Sequence, residues 1–299
     1  MLRSDGARPL MIVHGDTFTT VIGAVFGRLL RVPVAHIEAG MRSHDWRNPF
    51  PEELNRRATA KLARIHFAPG ANAVENLVAE RVRGEVVDTQ INTISDNLRD
   101  IPGEVPPGLD VPDEPFGLVS LHRFELLNNR DELAAILEVL RESARRRRLL
   151  FVDHPISASA VDSAGLAGLF DFERFVRIPR QRYFRFLSLL KASSFLVTDS
   201  GGSQEECAFM GHPCLIHRAV TEHQTGLGGP VVLSGMRLDT VRAFLEDPER
   251  LRCEPPVLAQ SPSELIVRHL EEHGFLSSPD RRQTIRHGST TAARPTVVE

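Results

Sequence analysis

LMIVHGDTFTTVIGAVFGRLLRVPVAHIEAG, residues 10–40, is the stretch from which the fold is read. Residues 10–14 form an apolar run of strand length, His14-Gly15-Asp16-Thr17 reads as a turn, and residues 17–31 carry helical periodicity. Residues 34–37 are apolar and strand-like again, and Glu38-Ala39-Gly40 leaves that run. A strand, a helix and a second strand in this order make the βαβ unit of a parallel sheet.

The alternation continues outward. Strands are expected at residues 65–68, 85–87, 118–121, 149–152, 174–178 and 195–198, with helices at 52–64, 131–144 and 204–210. Such spacing predicts parallel sheets covered on both faces. Ile101-Pro102-Gly103-Glu104-Val105-Pro106-Pro107-Gly108 is the best linker candidate, because Pro and Gly cluster there and the pattern restarts after it. The chain therefore reads as two α/β domains, residues 1–105 and 106–276, joined near 101–115. Residues 277–299 form a tail expected to be disordered.

A length of 299 residues suits two domains. A net charge of −3 gives no reason to expect a nucleic acid partner. Arg145-Arg146-Arg147-Arg148 reads as a solvated helix end, where cations meet the negative pole of the helix. Cys207, Cys214 and Cys253 fit neither a zinc spacing nor a disulfide framework, so a reducing compartment is expected. No run approaches the ~20 apolar residues of a membrane span, and a cytoplasmic location is expected.

The chemistry-bearing motifs follow expected strands, where α/β folds bind ligands. Asp16 sits where a side chain faces a cleft, although Asp16 or Thr17 would equally serve as a helix cap. Glu38 leaves a buried strand, as a cleft residue or as a structural hydrogen-bond acceptor. Pro49-Phe50-Pro51-Glu52-Glu53 has ordinary helix-start chemistry, but Glu52 adds a third acid to one region. Carboxylates sharing a cleft push one another's pKa upward, which readies one as acid and another as base. His122-Arg123 closes the first strand after the linker and makes a credible diphosphate contact. Most specific is Thr198-Asp199-Ser200-Gly201-Gly202-Ser203-Gln204-Glu205-Glu206, where a strand runs into glycines and a helix. Amides at a helix N-terminus favour a phosphate, and the two acids one turn later are in reach of ribose hydroxyls. A nucleotide-activated substrate across the cleft is the natural inference, and motif order alone does not name its reaction.

Taken together, HGDTFTT (14–20), PVAHIEAGMRS (33–43), NPFPEELNR (48–56) and VTDSGGSQEE (197–206) resemble the signature run of the non-hydrolysing UDP-N-acetylglucosamine 2-epimerases. Glu38 and Glu52 stand fourteen residues apart, as in that family. HFAPGANAVENL (66–77), NTISDNL (92–98), HRFE (122–125), DHP (153–155) and QRYFRFLSLL (181–190) extend the likeness over about residues 9–275. The resemblance implies two Rossmann-like domains in the GT-B arrangement, with no metal and no nicotinamide cofactor. It implies interconversion of UDP-GlcNAc and UDP-ManNAc by removal of the C2 proton, elimination of UDP and its re-addition. Asp16, Glu38 and Glu52 match the family's acid/base carboxylates, and His122 its active-site histidine, with Arg123 beside the diphosphate. Ser200, Gly201, Gly202 and Glu206 match the UDP cradle and ribose contact, and Gln181 and Phe186 the uracil pocket. A homodimer is implied by the resemblance alone; bacterial members of the family are activated by a second substrate molecule near a position matching His154, and with the N-terminal part of that site expected to be absent such activation is not assumed here.

Departures accompany the match. Arg8-Pro9-Leu10 already resembles the segment before the HGD strand, so the family's first strand, its Gly-Thr-Arg-Pro-Glu turn and one or two βα units are expected to be absent. The first domain is then incomplete, with unpaired strand edges and exposed apolar surface. Thr221-Glu222-His223-Gln224-Thr225 stands where the family has Thr-Glu-Arg-Pro-Glu, whose Arg contacts UDP, so the resemblance places His223 in the substrate site, shorter than that Arg and expected to be neutral at pH 7. Three functions remain open: an epimerase of this or another nucleotide sugar, a non-catalytic nucleotide-sugar binder, and a glycosyltransferase of the same architecture.

Overall fold

The computed structural model describes residues 8–47, 49–98, 111–171, 173–256 and 260–276. The linker candidate at 101–108 and the tail beyond 276 lie outside the described residues. Strand β1 (Met11–His14), helix α1 (Phe18–Leu29), β2 (Val34–Ile37), α2 (Glu52–Leu62), β3 (Ile65–Ala68), α3 (Ala71–Ala79), β4 (Glu85–Asp88) and α4 (Ile94–Asn97) make the first half. The second half begins with β5 (Phe116–Ser120), α5 (Phe124–Leu127), α6 (Arg130–Ala144), β6 (Arg148–Asp153), α7 (Pro155–Ser163) and β7 (Phe175–Pro179). It continues through α8 (Tyr183–Ala192), β8 (Phe195–Thr198), α9 (Gly201–Met210), β9 (Cys214–Ile216), β10 (Val231–Leu233), α10 (Leu238–Glu246) and α11 (Pro262–Glu272).

Two parallel sheets result. The first runs β1-β2-β3-β4 and the second β7-β6-β5-β8-β9-β10. Strand residues alternate between two apolar layers, as period-two geometry requires. Val119, Phe151 and Val197 face Leu133, Ile136, Leu137 and Leu140 of α6. Their neighbours Leu118, Leu150 and Leu196 face Leu187 and Leu190 of α8 and Cys207 of α9. Burial on both faces explains why these strands read as continuous apolar runs.

Helix α11 leaves the second sheet and covers the first. Its Ile266 and Leu270 pack on Ala35, Ile65 and Phe67. The Arg8 amide donates to the Gly274 carbonyl at 2.9 Å, which fastens the same end of the chain to β1. At the opposite edge of the first half, α1 buries Thr20, Ala24 and Gly27 but leaves Phe18, Ile22, Val25, Phe26 and Leu29 exposed. Ile12 of β1 is exposed beside them, so the expected apolar surface is present.

Two local expectations change. Arg148 opens β6 and only Arg145 caps α6, so the arginine run spans a helix end and a strand start. Strands β9 and β10, three residues each, were too short for the sequence pattern to reveal.

Candidate active site

The order of the second sheet reverses between β5 and β8, and the carboxyl ends of these two strands meet there. In open α/β sheets this switch point is where ligands bind. His122 and Arg123 leave β5, and both donate their amides to the buried Asp199 carboxylate beyond β8, at 2.8 to 3.0 Å. The His122 Nδ1 atom lies 3.6 Å from the same carboxylate. Burial pushes the Asp199 pKa up, against the opposing pull of His122 and those two amides. Asp199 is thus the brace that sets the His122 ring, and its ring centroid stands 5.5 Å from that of His154.

Helix α9 starts one residue after Ser200, whose hydroxyl accepts from the Ser203 amide at 3.4 Å. The amides of this first turn have no partner inside the helix and carry its positive pole. Gly201 is required here: a Cβ on it would lie 2.3 Å from the His223 Nε2. A Cβ on Gly202 would meet nothing closer than Ile94 Cδ1 at 3.5 Å, an ordinary contact, so that position has room for close approach.

Across the cleft, β1 delivers Asp16 and β2 delivers Glu38. Asp16 is not a helix cap, and Thr17 makes no capping bond with its side chain. Instead the Asp16 carboxylate pairs with buried Arg56, one turn into α2. Glu38 has a left-handed φ of 65° and accepts from Asn92 Nδ2 at 2.5 Å. Its other oxygen lies 3.6 Å from His14 Nε2.

The two halves are bonded through this cluster. Arg56 also donates to Glu222 at 3.1 Å, and Asn92 donates to Glu205 at 2.8 Å. Arg218 completes the pairing of Glu222 at 3.0 Å. Burial opposes ionisation of Glu222, but His223, Arg218 and Arg56 hold its pKa well below the usual carboxylate range. His223 sits between Glu205 (3.2 Å) and Glu222 (3.5 Å). Burial disfavours its charge, yet the two carboxylates raise its pKa to about 10. His223 is therefore an imidazolium at pH 7, which corrects the neutral side chain expected from sequence. Glu205 likewise is committed to His223 and Asn92 rather than free for a ribose.

Gly15, Asp16, Glu38, Arg56, His122, Arg123, Ser200, Gly201, Gly202, Glu205, Glu222 and His223 all line one cavity of about 190 Å³. Asp16, Glu38 and the glycine turn thus share one space. Glu52 is not in that lining; its Oε2 is buried without a hydrogen-bond partner among the described residues. Glu206, Gln181 and Phe186 also lie outside it. Burial raises Glu206 to about 7, with Tyr183 and Ser203 hydrogen-bonded to it. The Gln181 amide donates to the Pro179 carbonyl, and Phe186 packs against the core formed by α8 and α9. Asp199 and Glu206, whose pKa values rise, both stand after β8. Arg56, Asn92, Asp199 and Glu222 carry much of the geometry and were given no role from sequence, although all four stand inside or beside the quoted motifs.

Comparison with known proteins agrees with this geometry. The family model for UDP-N-acetylglucosamine 2-epimerase matches residues 7–249. A putative UDP-N-acetylglucosamine 2-epimerase of Thermotoga maritima is 34% identical over 245 residues, covering 78% of this chain and 63% of that protein. The UDP-N-acetylglucosamine 2-epimerase of Bacillus subtilis is 31% identical over 254 residues, covering 81% of this chain and 66% of the relative. The chain thus spans a little under two thirds of the length of these curated relatives. Among solved structures, the Methanocaldococcus jannaschii UDP-GlcNAc 2-epimerase in complex with UDP-GlcNAc and UDP superposes with a TM-score of 0.79 at 29% identity, over 88% of this chain and 75% of that one. The S. aureus MnaA–UDP co-structure gives 0.76 at 28% identity, over 90% and 75%.

Proposed function

The chain belongs to the UDP-N-acetylglucosamine 2-epimerase family, and from that premise we propose that it interconverts UDP-GlcNAc and UDP-ManNAc. The reaction removes the C2 proton, expels UDP to leave a 2-acetamidoglucal, and returns UDP after reprotonation on the other face. The observation that carries this reading is the single cavity in which Asp16 and Glu38 face the Gly201-Gly202 helix start and His122.

A sugar C2–H is a very weak acid, so the reaction needs a placed base and a stabilised leaving group. Glu38 has no arginine among its contacts in the described residues and is assigned as base, with Asp16 as its counterpart on the opposite face of C2. Glu52 is assigned as a third acid at the start of α2. His122, Arg123 and the α9 amides with Ser200 would hold the diphosphate, and Glu206 the ribose. Gln181 and Phe186 are assigned to the uracil, and imidazolium His223 to the charge role of the family's arginine. The two sheets are taken as two domains, residues 1–105 and 106–276, with α11 crossing back to the first. A homodimer, a cytoplasmic location and supply of cell-surface polysaccharide synthesis complete the proposal.

The test is incubation of the chain with UDP-GlcNAc in D2O. Deuterium should enter C2, and Glu38→Gln should slow exchange by about 10²–10⁴-fold. A second reading, a binder without turnover, is favoured by the His223 ring packed over Gly201. Calorimetric UDP binding by a folded chain that shows no exchange would establish that second reading and refute the first.

A further inference from the structure

Far from the cleft, where α11 docks on the outer strand of the first sheet, Glu85, His269 and His273 converge. Their ligand-type atoms lie within 4.8 Å of one another. Glu85 opens β4, His269 stands on the last turn of α11, and His273, four residues on, is its C-cap. From this geometry we infer a binding site for a first-row divalent cation, best suited to Zn²⁺, that fastens α11 to β4.

The orientation of each donor supports the inference. The carbonyl of His269 can only accept, so its 2.8 Å contact with His273 Nδ1 fixes the proton on that nitrogen. The His273 Nε2 lone pair is thereby free and lies 3.9 Å from Glu85 Oε2. This backbone brace is the usual support for a metal-binding imidazole. His269 Nε2 is buried without a hydrogen-bond partner among the described residues, and it points at the same carboxylate oxygen from 3.3 Å. Phe67 meets the His269 ring edge-on at 5.5 Å and holds it in place. Gly84 fixes the approach of Glu85: its φ is +110°, and a Cβ there would lie 2.1 Å from the Arg64 carbonyl oxygen.

The separations suit a small ion. Zinc bonds of about 2.1 Å in a tetrahedron place ligands about 3.4 Å apart, against the 3.3 and 3.9 Å found. Two imidazole nitrogens and one carboxylate select Zn²⁺ or its first-row neighbours over Mg²⁺ and Ca²⁺, which prefer oxygen. The two rings stack at 4.1 Å beside the Glu85 carboxylate. Water would fill the remaining coordination positions on the exposed side of His273.

The full chain, stripped with EDTA, should be titrated with ZnCl2 by calorimetry and with CoCl2 by visible spectroscopy. One saturable Zn²⁺ site, Co²⁺ d–d bands, and a thermal midpoint raised by Zn²⁺ but not by Mg²⁺ are expected. His273→Ala and Glu85→Gln change exposed side chains and should retain the parent circular dichroism. Each should weaken Zn²⁺ binding by at least ~10-fold and abolish the rise in midpoint. No saturable binding by the parent would overturn the inference. So would unchanged affinity in both variants, because the cation would then sit among the other histidines of the chain.

Discussion

His223 takes its charge from two neighbours rather than from its own preference. Burial works against the imidazolium, but Glu205 and Glu222 outweigh it and lift the pKa to about 10. A folded-state pKa above the unfolded value of about 6.5 means that protonation stabilises the fold. That contribution is complete below about 6.5 and is lost as pH rises through about 10. Glu206 acts in a separate window: raised to about 7 by burial, it favours the fold below its unfolded value and loses that contribution as pH rises through about 7. His36, His212 and His217 have depressed pKa values, about 3, 3 and 4, and weaken the fold only as pH falls below about 6.5. Between pH 7.5 and 8.5, below the range in which the Cys207 thiol of the unfolded chain ionises, the slope therefore reports mainly on His223. The urea midpoint of the parent should fall across that interval, and the midpoint of His223→Gln should stay nearly level.

The two glycines at the start of α9 separate packing from ligand approach. A methyl at Gly201 would strike the His223 ring, so Gly201→Ala should dislodge the imidazolium and lower the thermal midpoint, at a cost of about 1–3 kcal/mol. A methyl at Gly202 would make only ordinary van der Waals contact, nearest Ile94 Cδ1 at 3.5 Å. Gly202→Ala should keep the parent midpoint while weakening UDP, because the methyl projects where the diphosphate is placed. Thermal melts with and without UDP would distinguish the two. This element was legible in the sequence because a strand, a hydroxyl, two glycines and a helix follow in immediate succession. Asp16 and Glu38 were legible for the same reason, standing just beyond apolar runs. Arg56 and Asn92 were not: their partners Asp16, Glu205 and Glu222 lie 40, 113 and 166 residues away, and no local pattern encodes a pairing at that range. The charge of His223 was misread for the same reason, since a ring's pKa belongs to its neighbours. The crossing of α11 also escaped, because its apolar stripe reads alike whichever sheet it covers.

At the scale of the whole molecule, the cavity and the bonds that span it oppose each other. About 190 Å³ is less than the roughly 300–1,000 Å³ of pockets that hold drug-sized ligands, so a nucleotide sugar enters only if the halves part. The buried contacts resisting that motion include Arg56 to Glu222 and the Asn92 amide shared by Glu38 and Glu205. Removing one partner of a buried ion pair costs about 3–5 kcal/mol, so an Arg56 variant would mix opening with loss of stability. Asn92→Asp is the cleaner change: it keeps the size and sets a third carboxylate between two others, replacing attraction with like-charge repulsion. The variant should show a larger radius of gyration in small-angle scattering than the parent, and saturating UDP should reduce the difference. Asn97→Ala, which loses only an exposed 3.4 Å contact with Tyr183, should scatter as the parent does. If Asn92→Asp scatters like the parent at low ionic strength, where repulsion is least screened, then the α2 arginine, not Asn92, is the tie that matters between the halves. The amide of Asn92 would then serve only to orient Glu38.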